Sequence, residues 1–140
     1  MSDKNDKNVF SILLEMQNII NAYLKDGQTN LFKALEEMGI TFNLDDKFNT
    51  PFSKSVLKAL LKVKPGEITS YSGLAKKINS KAYRAIGGVL RNNPLPLIIP
   101  CHRVIKQDGK LGGFMGKMDK DWQTNLKRTL LKIEGNIISE

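Results

Sequence analysis

Val9, Ile12, Met16, Ile19 and Tyr23 recur every three or four residues, with Phe10, Leu13, Leu14, Ile20 and Leu24 beside them, and Asp26-Gly27 ends the pattern. This spacing predicts a helix whose apolar face is wide enough to need a cover. A second short helix is expected over about 31–38, closed by Gly39 where a left-handed C-terminal residue is wanted. Ile40, Phe42 and Leu44 alternate and predict one strand. Thr50-Pro51 then supplies an N-cap and a first-turn proline for a third helix. That helix carries Phe52, Val56, Leu57, Leu60 and Leu61 on one face and ends at Lys64-Pro65-Gly66.

Beyond it, Ile68 to Ser70 leads into a helix over about 71–78, a turn at Asn79-Ser80, and a helix over about 81–91 stopped by Asn92-Asn93-Pro94. Two short helices joined by a tight turn read as helix-turn-helix. On the second, Ala82, Ile86, Val89 and Leu90 form the stripe expected to be buried. Lys81, Arg84, Gly88 and Arg91 form a basic stripe, flanked by the small residues Ala85 and Gly87. A glycine inside a helix costs about 1 kcal/mol, so the backbone here must lie close to something, either another helix or a ligand. The arginines at both ends favour a nucleic-acid groove.

The segment from Leu97 to Ile105 reads as extended, because prolines at 94, 96 and 100 oppose a helix. Asp108-Gly109 signals a hairpin, a wing beside the helix-turn-helix. Gly112, Gly113, Phe114 and Gly116 suggest a flexible loop, and a last helix is expected from about Asp119, with Trp122, Leu126, Leu130 and Ile133 inward and Gly135 at its end. The fold class is therefore mainly α with a small β component. A winged helix-turn-helix-like domain over 49–140 follows a short helical N-terminal module over 1–48, and the polar stretch 43–50 marks the boundary.

With 140 residues the chain has room for one domain of ordinary size and a short appendage. Its 41% hydrophobic and 26% charged residues exclude a disordered polyampholyte. No apolar run approaches the ~20 residues of a membrane helix, and the start is polar without a hydrophobic signal core, so a cytoplasmic protein is expected, nuclear in a eukaryotic host. One cysteine and one histidine allow neither an internal disulfide nor a Cys/His metal cluster. Charge is unevenly spread: residues 1–50 hold 5 Lys and Arg against 8 Asp and Glu, whereas residues 51–140 hold 17 against 6. The basic C-terminal part fits capture of a polyanion, with nucleic acid first to test, and equally a solvated surface kept for solubility.

Cys101 and His102 are adjacent, followed by Arg103, in the proline-stiffened segment of this basic region. A lone cysteine is ordinarily a small buried hydrophobe. In a positive field its thiolate, the nucleophilic form, is favoured. On an extended segment neighbouring side chains point to opposite sides, so His102 would reach the sulfur through a water, and a carboxylate is needed to orient the imidazole.

The run Pro100-Cys101-His102-Arg103-Val104 resembles the active-site signature of the O6-alkylguanine-DNA alkyltransferases, also called methylated-DNA:protein-cysteine methyltransferases. Gly66-Glu67-Ile68-Thr69-Ser70-Tyr71, Arg84-Ala85-Ile86-Gly87-Gly88, Arg91-Asn92-Asn93-Pro94 and Leu130-Leu131-Lys132-Ile133-Glu134-Gly135 are similar to that family too, in its order. The resemblance implies irreversible transfer of an alkyl group from guanine O6 in double-stranded DNA to Cys101, by a monomer, with no cofactor or metal and one turnover per molecule. It further implies that Glu134, His102 and a bridging water deprotonate Cys101, and that Asn93 holds the turn before the active segment. Tyr71 would lie at the flipped base and donate toward guanine N3, and Arg84 would fill the vacated stack. The backbone carbonyls of Cys101 and Val104 would accept from the guanine amine, with Phe114 and Met115 at the pocket wall. Lys81, Ala82, Ala85, Gly88 and Arg91 would lie along the minor groove, where small residues let the helix sit flush.

Phe114 stands where the family commonly has tyrosine and Met115 where it has serine or arginine, and the interval from Tyr71 to Arg84 is one residue short. The family also commonly carries a larger N-terminal domain with a ribonuclease-H-like sheet, which the fifty residues here replace or truncate. Two other readings compete. An alkyltransferase-like binding protein would carry tryptophan where this chain has Cys101, and a winged helix-turn-helix transcription factor would leave Cys101, His102 and Glu134 idle.

Overall fold

A computed structural model describes residues 8–114 and 122–138. In chain order it has α1 (Val9–Asp26), α2 (Leu31–Glu37), α3 (Pro51–Leu61), β1 (Thr69–Ser70), α4 (Tyr71–Lys77), α5 (Tyr83–Arg91), a 3-10 turn (Cys101–Arg103), β2 (Val104–Ile105) and α6 (Trp122–Ile133). The fold is mainly helical with one small sheet. Helix starts follow local chemistry: Asn8, Asn30 and Ser70 each accept a backbone N–H in the first turn of α1, α2 and α4. Thr50 and Ser53 form a reciprocal capping box on α3, with Pro51 at its first position. No helix among the described residues is long and apolar enough to cross a membrane.

One core joins the N-terminal helices to the rest: Tyr23, Leu31 and Phe48 pack in the same cluster as Val56, Leu60, Leu74, Ile86, Ile99, Val104 and Leu130. Helix α1 is only half covered. Tyr23 is fully buried and Ile19 and Ile20 pack on the core, but Val9, Phe10, Leu13, Leu14 and Leu24 are exposed, contrary to the covered face that their spacing predicts. The docked end is the C-terminal one. There Gly27 adopts φ +67°, and a Cβ at that position would meet the Ile133 carbonyl oxygen at 2.0 Å, so only glycine lets the end of α1 touch the end of α6.

Residues 40–44 form no strand. Among the described residues no strand offers its edge to this segment, and Phe42 instead packs its ring on Phe32, with centroids 4.9 Å apart. The wing is likewise reduced to a turn: Lys106 N donates to Lys110 O and Gly109 N to Lys106 O, while β2 pairs in parallel with β1, Thr69 opposite Val104 and Ser70 opposite Ile105. That pairing ties the entry of α4 to the exit of the 3-10 turn. Phe114 is buried rather than part of a mobile loop. The expected start of the last helix near Asp119, together with Met115 and Gly116, lies outside the described residues. In α6 the inward face is Thr124, Lys127, Leu130 and Leu131, whereas Trp122 and Leu126 are exposed. The helix is rotated from its apolar pattern because Lys127 is drawn inward by two backbone carbonyls.

Candidate active site

Asn93, just beyond α5, fixes the loop that leads to the cysteine. Its Nδ2 donates to Ile99 O at 2.9 Å and its Oδ1 accepts from Leu95 N at 2.9 Å. Between them Leu97 takes φ +80°, a left-handed backbone that a bulky residue adopts only when its surroundings enforce it. Pro100 then opens the 3-10 turn, where a missing N–H and a fixed φ are tolerated, and Val104 N closes the turn by donating to Cys101 O. The segment expected to be extended is therefore wound at its reactive trio. Winding separates the three side chains: Cys101 lines an open cleft, while His102 and Arg103 turn inward to Glu134.

Glu134 follows the last residue of α6 and is 3% exposed, so it is no surface ion pair. Its Oε2 accepts from His102 Nε2 at 2.8 Å, from Arg103 at 2.8 Å and from the Tyr23 hydroxyl at 2.5 Å, and its Oε1 accepts from Arg103 Nε at 2.9 Å. Arg103 also donates to Val63 O at 2.8 Å. Burial alone would raise the carboxyl pKa, but the bonds from His102 and Arg103, with that from Tyr23, hold it down at about 2. His102 is fully buried, and burial outweighs Glu134 to lower its pKa, so the imidazole is neutral at neutral pH. The hydroxyl of Tyr23 is pushed strongly upward by burial and by its bond to Glu134, and it stays protonated.

Lys127 is 1% exposed and donates to Val104 O and to Gly113 O, each at 2.8 Å. Burial lowers its pKa to about 8, partly offset by the nearby Cys101. The Cys101 thiol is itself raised by burial, against the lowering effects of the Asn93 amide and the Lys127 charge. At rest the sulfur is a thiol that needs a base. The carbonyls of Cys101 and Val104 each already accept one hydrogen bond, from Val104 N and Lys127, which leaves each a second lone pair.

The cleft above Cys101 has a volume of about 520 Å³. Of the residues singled out in the sequence, Tyr71, Arg84, Gly87, Leu90, Arg91, Cys101 and Phe114 line it with Gly112 and Gly113, and Tyr71 is raised in pKa by burial and by the facing Cys101. Val104 does not: its side chain is buried in β2. Lys81 and Ala85 are exposed beside the cleft. Ala82, expected in the buried stripe, is exposed too and forms the N-cap of α5, where the helix has only begun. A Cβ at Gly87 or Gly88 would meet nothing within 4 Å, so packing against another described element does not require these glycines. Glu67, from the resembling block, caps its own turn by accepting from Lys64 N.

Tyr23, Lys127 and the inward Arg103, all close to this chemistry, carry no site assignment in the sequence reading, nor do Tyr83, Ser72, Lys106 and Gln107, which line the cleft. Lys127 had a legible signal, since a spacing of seven puts it on the same helical face as Glu134. Tyr23 had none, because its spacing is that of its apolar neighbours on α1.

Residues 51–136 match the family described as the DNA binding domain of 6-O-methylguanine DNA methyltransferase. The chain is 47% identical over 88 residues to the methylated-DNA--protein-cysteine methyltransferase of Methanosarcina mazei, covering 62% of this chain and 52% of that protein. To the human protein of the same name it is 49% identical over 74 residues, covering 51% and 36%. It thus spans about half the length of the archaeal relative and less of the human one. Among solved structures, the O6-methylguanine-DNA methyltransferase of Pyrococcus kodakaraensis superposes with a TM-score of 0.52 at 40% identity, covering 62% of this chain and 47% of that one. Mycobacterium tuberculosis OGT in complex with DNA gives 0.53 at 42% identity, covering 61% and 49%. With the matched region spanning α3 to the Glu134 turn, the chain belongs to the O6-methylguanine-DNA methyltransferase family.

Proposed function

We propose that this chain repairs DNA by moving an alkyl group, methyl above all, from guanine O6 onto Cys101, once per molecule. The observation that carries the reading is a cysteine at the floor of an open cleft, backed by a sealed His102–Glu134 pair and overhung by the basic face of α5.

The proton on His102 sits on Nε2, which faces an ionised carboxylate, so Nδ1 presents a lone pair. Through a bridging water Nδ1 takes the thiol proton, and the thiolate attacks the alkyl carbon. The C–S bond forms as the C–O6 bond breaks, and the electron pair returns to the guanine, toward whose N3 Tyr71 donates a hydrogen bond while the proton now on His102 balances the charge. Burial keeps that hydroxyl protonated, so it is present to donate the bond. A thioether has no route back to thiol here, which makes the protein stoichiometric.

The partner is duplex DNA, approached by a monomer from the minor groove. Arg84 and Arg91, at the rim of the cleft, fit a wedge and a phosphate contact, and the open space around Gly87 and Gly88 suits a backbone lying flush in a narrow groove. Extruding the base is what brings an O6 substituent into a cleft of this size. Residues 49–140 carry the reaction in this reading, which suits the cytoplasm or a nucleus. Incubation with a duplex containing O6-methylguanine, followed by intact-mass measurement and peptide mapping, tests it. One methyl on Cys101 is expected. Tight binding with no gain in mass would replace transfer by recognition alone.

A further inference from the structure

Among the described hydrogen bonds, it is through Tyr23 that the N-terminal helix reaches Glu134. Tyr23 is fully buried, lies 111 residues from Glu134 in sequence, and donates its hydroxyl to Oε2, the same oxygen that His102 Nε2 contacts. A second feature secures the same place: four residues on, Gly27 lets the end of α1 approach the Ile133 carbonyl so closely that any Cβ would collide. Hydroxyl and glycine together clamp α1 onto the turn that carries Glu134.

We propose that Tyr23 is a positioning residue of the relay, holding Glu134 Oε2 in register with His102 and limiting how much negative charge the carboxylate presents to the imidazole. The inference rests on His102 serving as the base for Cys101. Charged and titratable groups face this centre from every element around it: Arg103 beside His102 on the 3-10 turn, Lys127 on α6, Cys101 next to His102, and Tyr71 on α4 across the cleft. Of the bonds to Oε2, only that of Tyr23 comes from the N-terminal module. A module too small for a domain core of its own would thereby complete the site.

Removing the hydroxyl leaves the ring's packing but returns charge to Oε2, so the imidazole becomes more basic. The chain has one histidine, and its ring resonances can be titrated by NMR without ambiguity. In Tyr23→Phe the His102 midpoint should rise by about half a pH unit or more, and the ascending limb of the single-turnover alkyl-transfer profile should move up with it. Site-specific 3-fluorotyrosine at position 23, a stronger donor that keeps the hydroxyl, should move both the other way. A lowered thermal midpoint with an unchanged His102 titration in both proteins would reduce Tyr23 to a packing residue and overturn the proposal. The NMR titration needs no DNA. If the wild-type protein takes no methyl group, the functional reading fails while the coupling of Tyr23 to His102 is still decided.

Discussion

His102 Nε2 lies 2.8 Å from Glu134 Oε2 with both side chains sealed from solvent, and this contact decides which imidazole nitrogen can act as a base. A carboxyl held near 2 accepts and cannot donate, so the shared proton belongs to Nε2. Nδ1 is buried without a hydrogen-bond partner among the described residues, and in the proposed reaction it is the atom that takes the thiol proton through water. The resting site is then a neutral thiol, a neutral imidazole and an ionised carboxylate, each in the state its surroundings impose.

Cys101→Ser should abolish transfer and leave duplex affinity within a few-fold. Hydroxyl and thiol are close in size, but a serine hydroxyl is far too weak an acid to ionise in a pocket that already raises the thiol. Titration of labelled duplex alongside intact-mass measurement reads both quantities. Alkyl gain by the serine protein would remove Cys101 as acceptor.

Arg84→Ala should lose far more of its rate on duplex than on single-stranded substrate. Arg84 is exposed at the cleft rim on α5, placed to occupy a gap in a stack, and an unpaired base leaves no gap to fill. Parallel single-turnover rates on the two substrates are the test, and equal losses would make Arg84 a phosphate contact.

Gly88→Ala separates folding from DNA contact. Nothing lies within 4 Å of the added Cβ, so the free protein should gain up to about 1 kcal/mol from helix propensity and melt at a higher temperature. Duplex affinity should fall, because the methyl holds the helix away from the groove floor. A variant that is both more stable and equally tight on DNA would remove Gly88 from the interface.

The helices were legible where the signals are local. Thr50, Pro51 and Ser53 start α3 on their own, and Gly39 and Gly135 take the left-handed backbone that helix ends require. The strand at 40–44 failed because alternation states a preference and not a partner. The extended segment at Cys101 failed because proline opposes a helix interior but suits a helix start, which is where Pro100 sits. The face of α6 was misread at Lys127, since a charged residue counts as outward until two backbone carbonyls draw it in. Cys101, His102 and Glu134 were legible through motif and resemblance, whereas Tyr23 depends on a contact 111 residues away that no local pattern encodes.

Lys127→Met should make the Cys101 thiol harder to ionise. Methionine keeps most of the buried stem but removes the charge that favours the thiolate. Lys127 is charged only below about pH 8, so the rate of Cys101 reaction with iodoacetamide at pH 7 should fall. An unchanged rate at pH 7 would confine Lys127 to holding Val104 and Gly113 in place.

Glu134→Gln tests the relay and the fold at once. The amide no longer draws positive character onto His102 and presents only one acceptor oxygen to Tyr23, His102 and Arg103, so alkyl transfer at neutral pH should slow by roughly ten- to a thousand-fold, a part of the roughly hundred- to ten-thousand-fold that general-base assistance supplies. Raising the pH should recover part of this, as hydroxide supplies the thiolate directly. Stability must fall as well, because Arg103 is left 5% exposed without its counter-charge, at a cost of about 3 to 5 kcal/mol. The pH dependence keeps the two effects apart. A carboxyl whose pKa is about 2 when folded and 4.5 when unfolded stabilises the protein fully above about pH 4.5, and the contribution is lost as pH falls toward 2. Wild type should therefore lose of order 3 kcal/mol across that window from this group, and Glu134→Gln should lack that component while being less stable at neutral pH. Thermal midpoints between pH 2 and 7 measure the stability, and single-turnover rates between pH 6 and 9 measure the relay. A wild-type rate across the upper range would exclude Glu134 from proton transfer even if the acid-stability difference appears as expected.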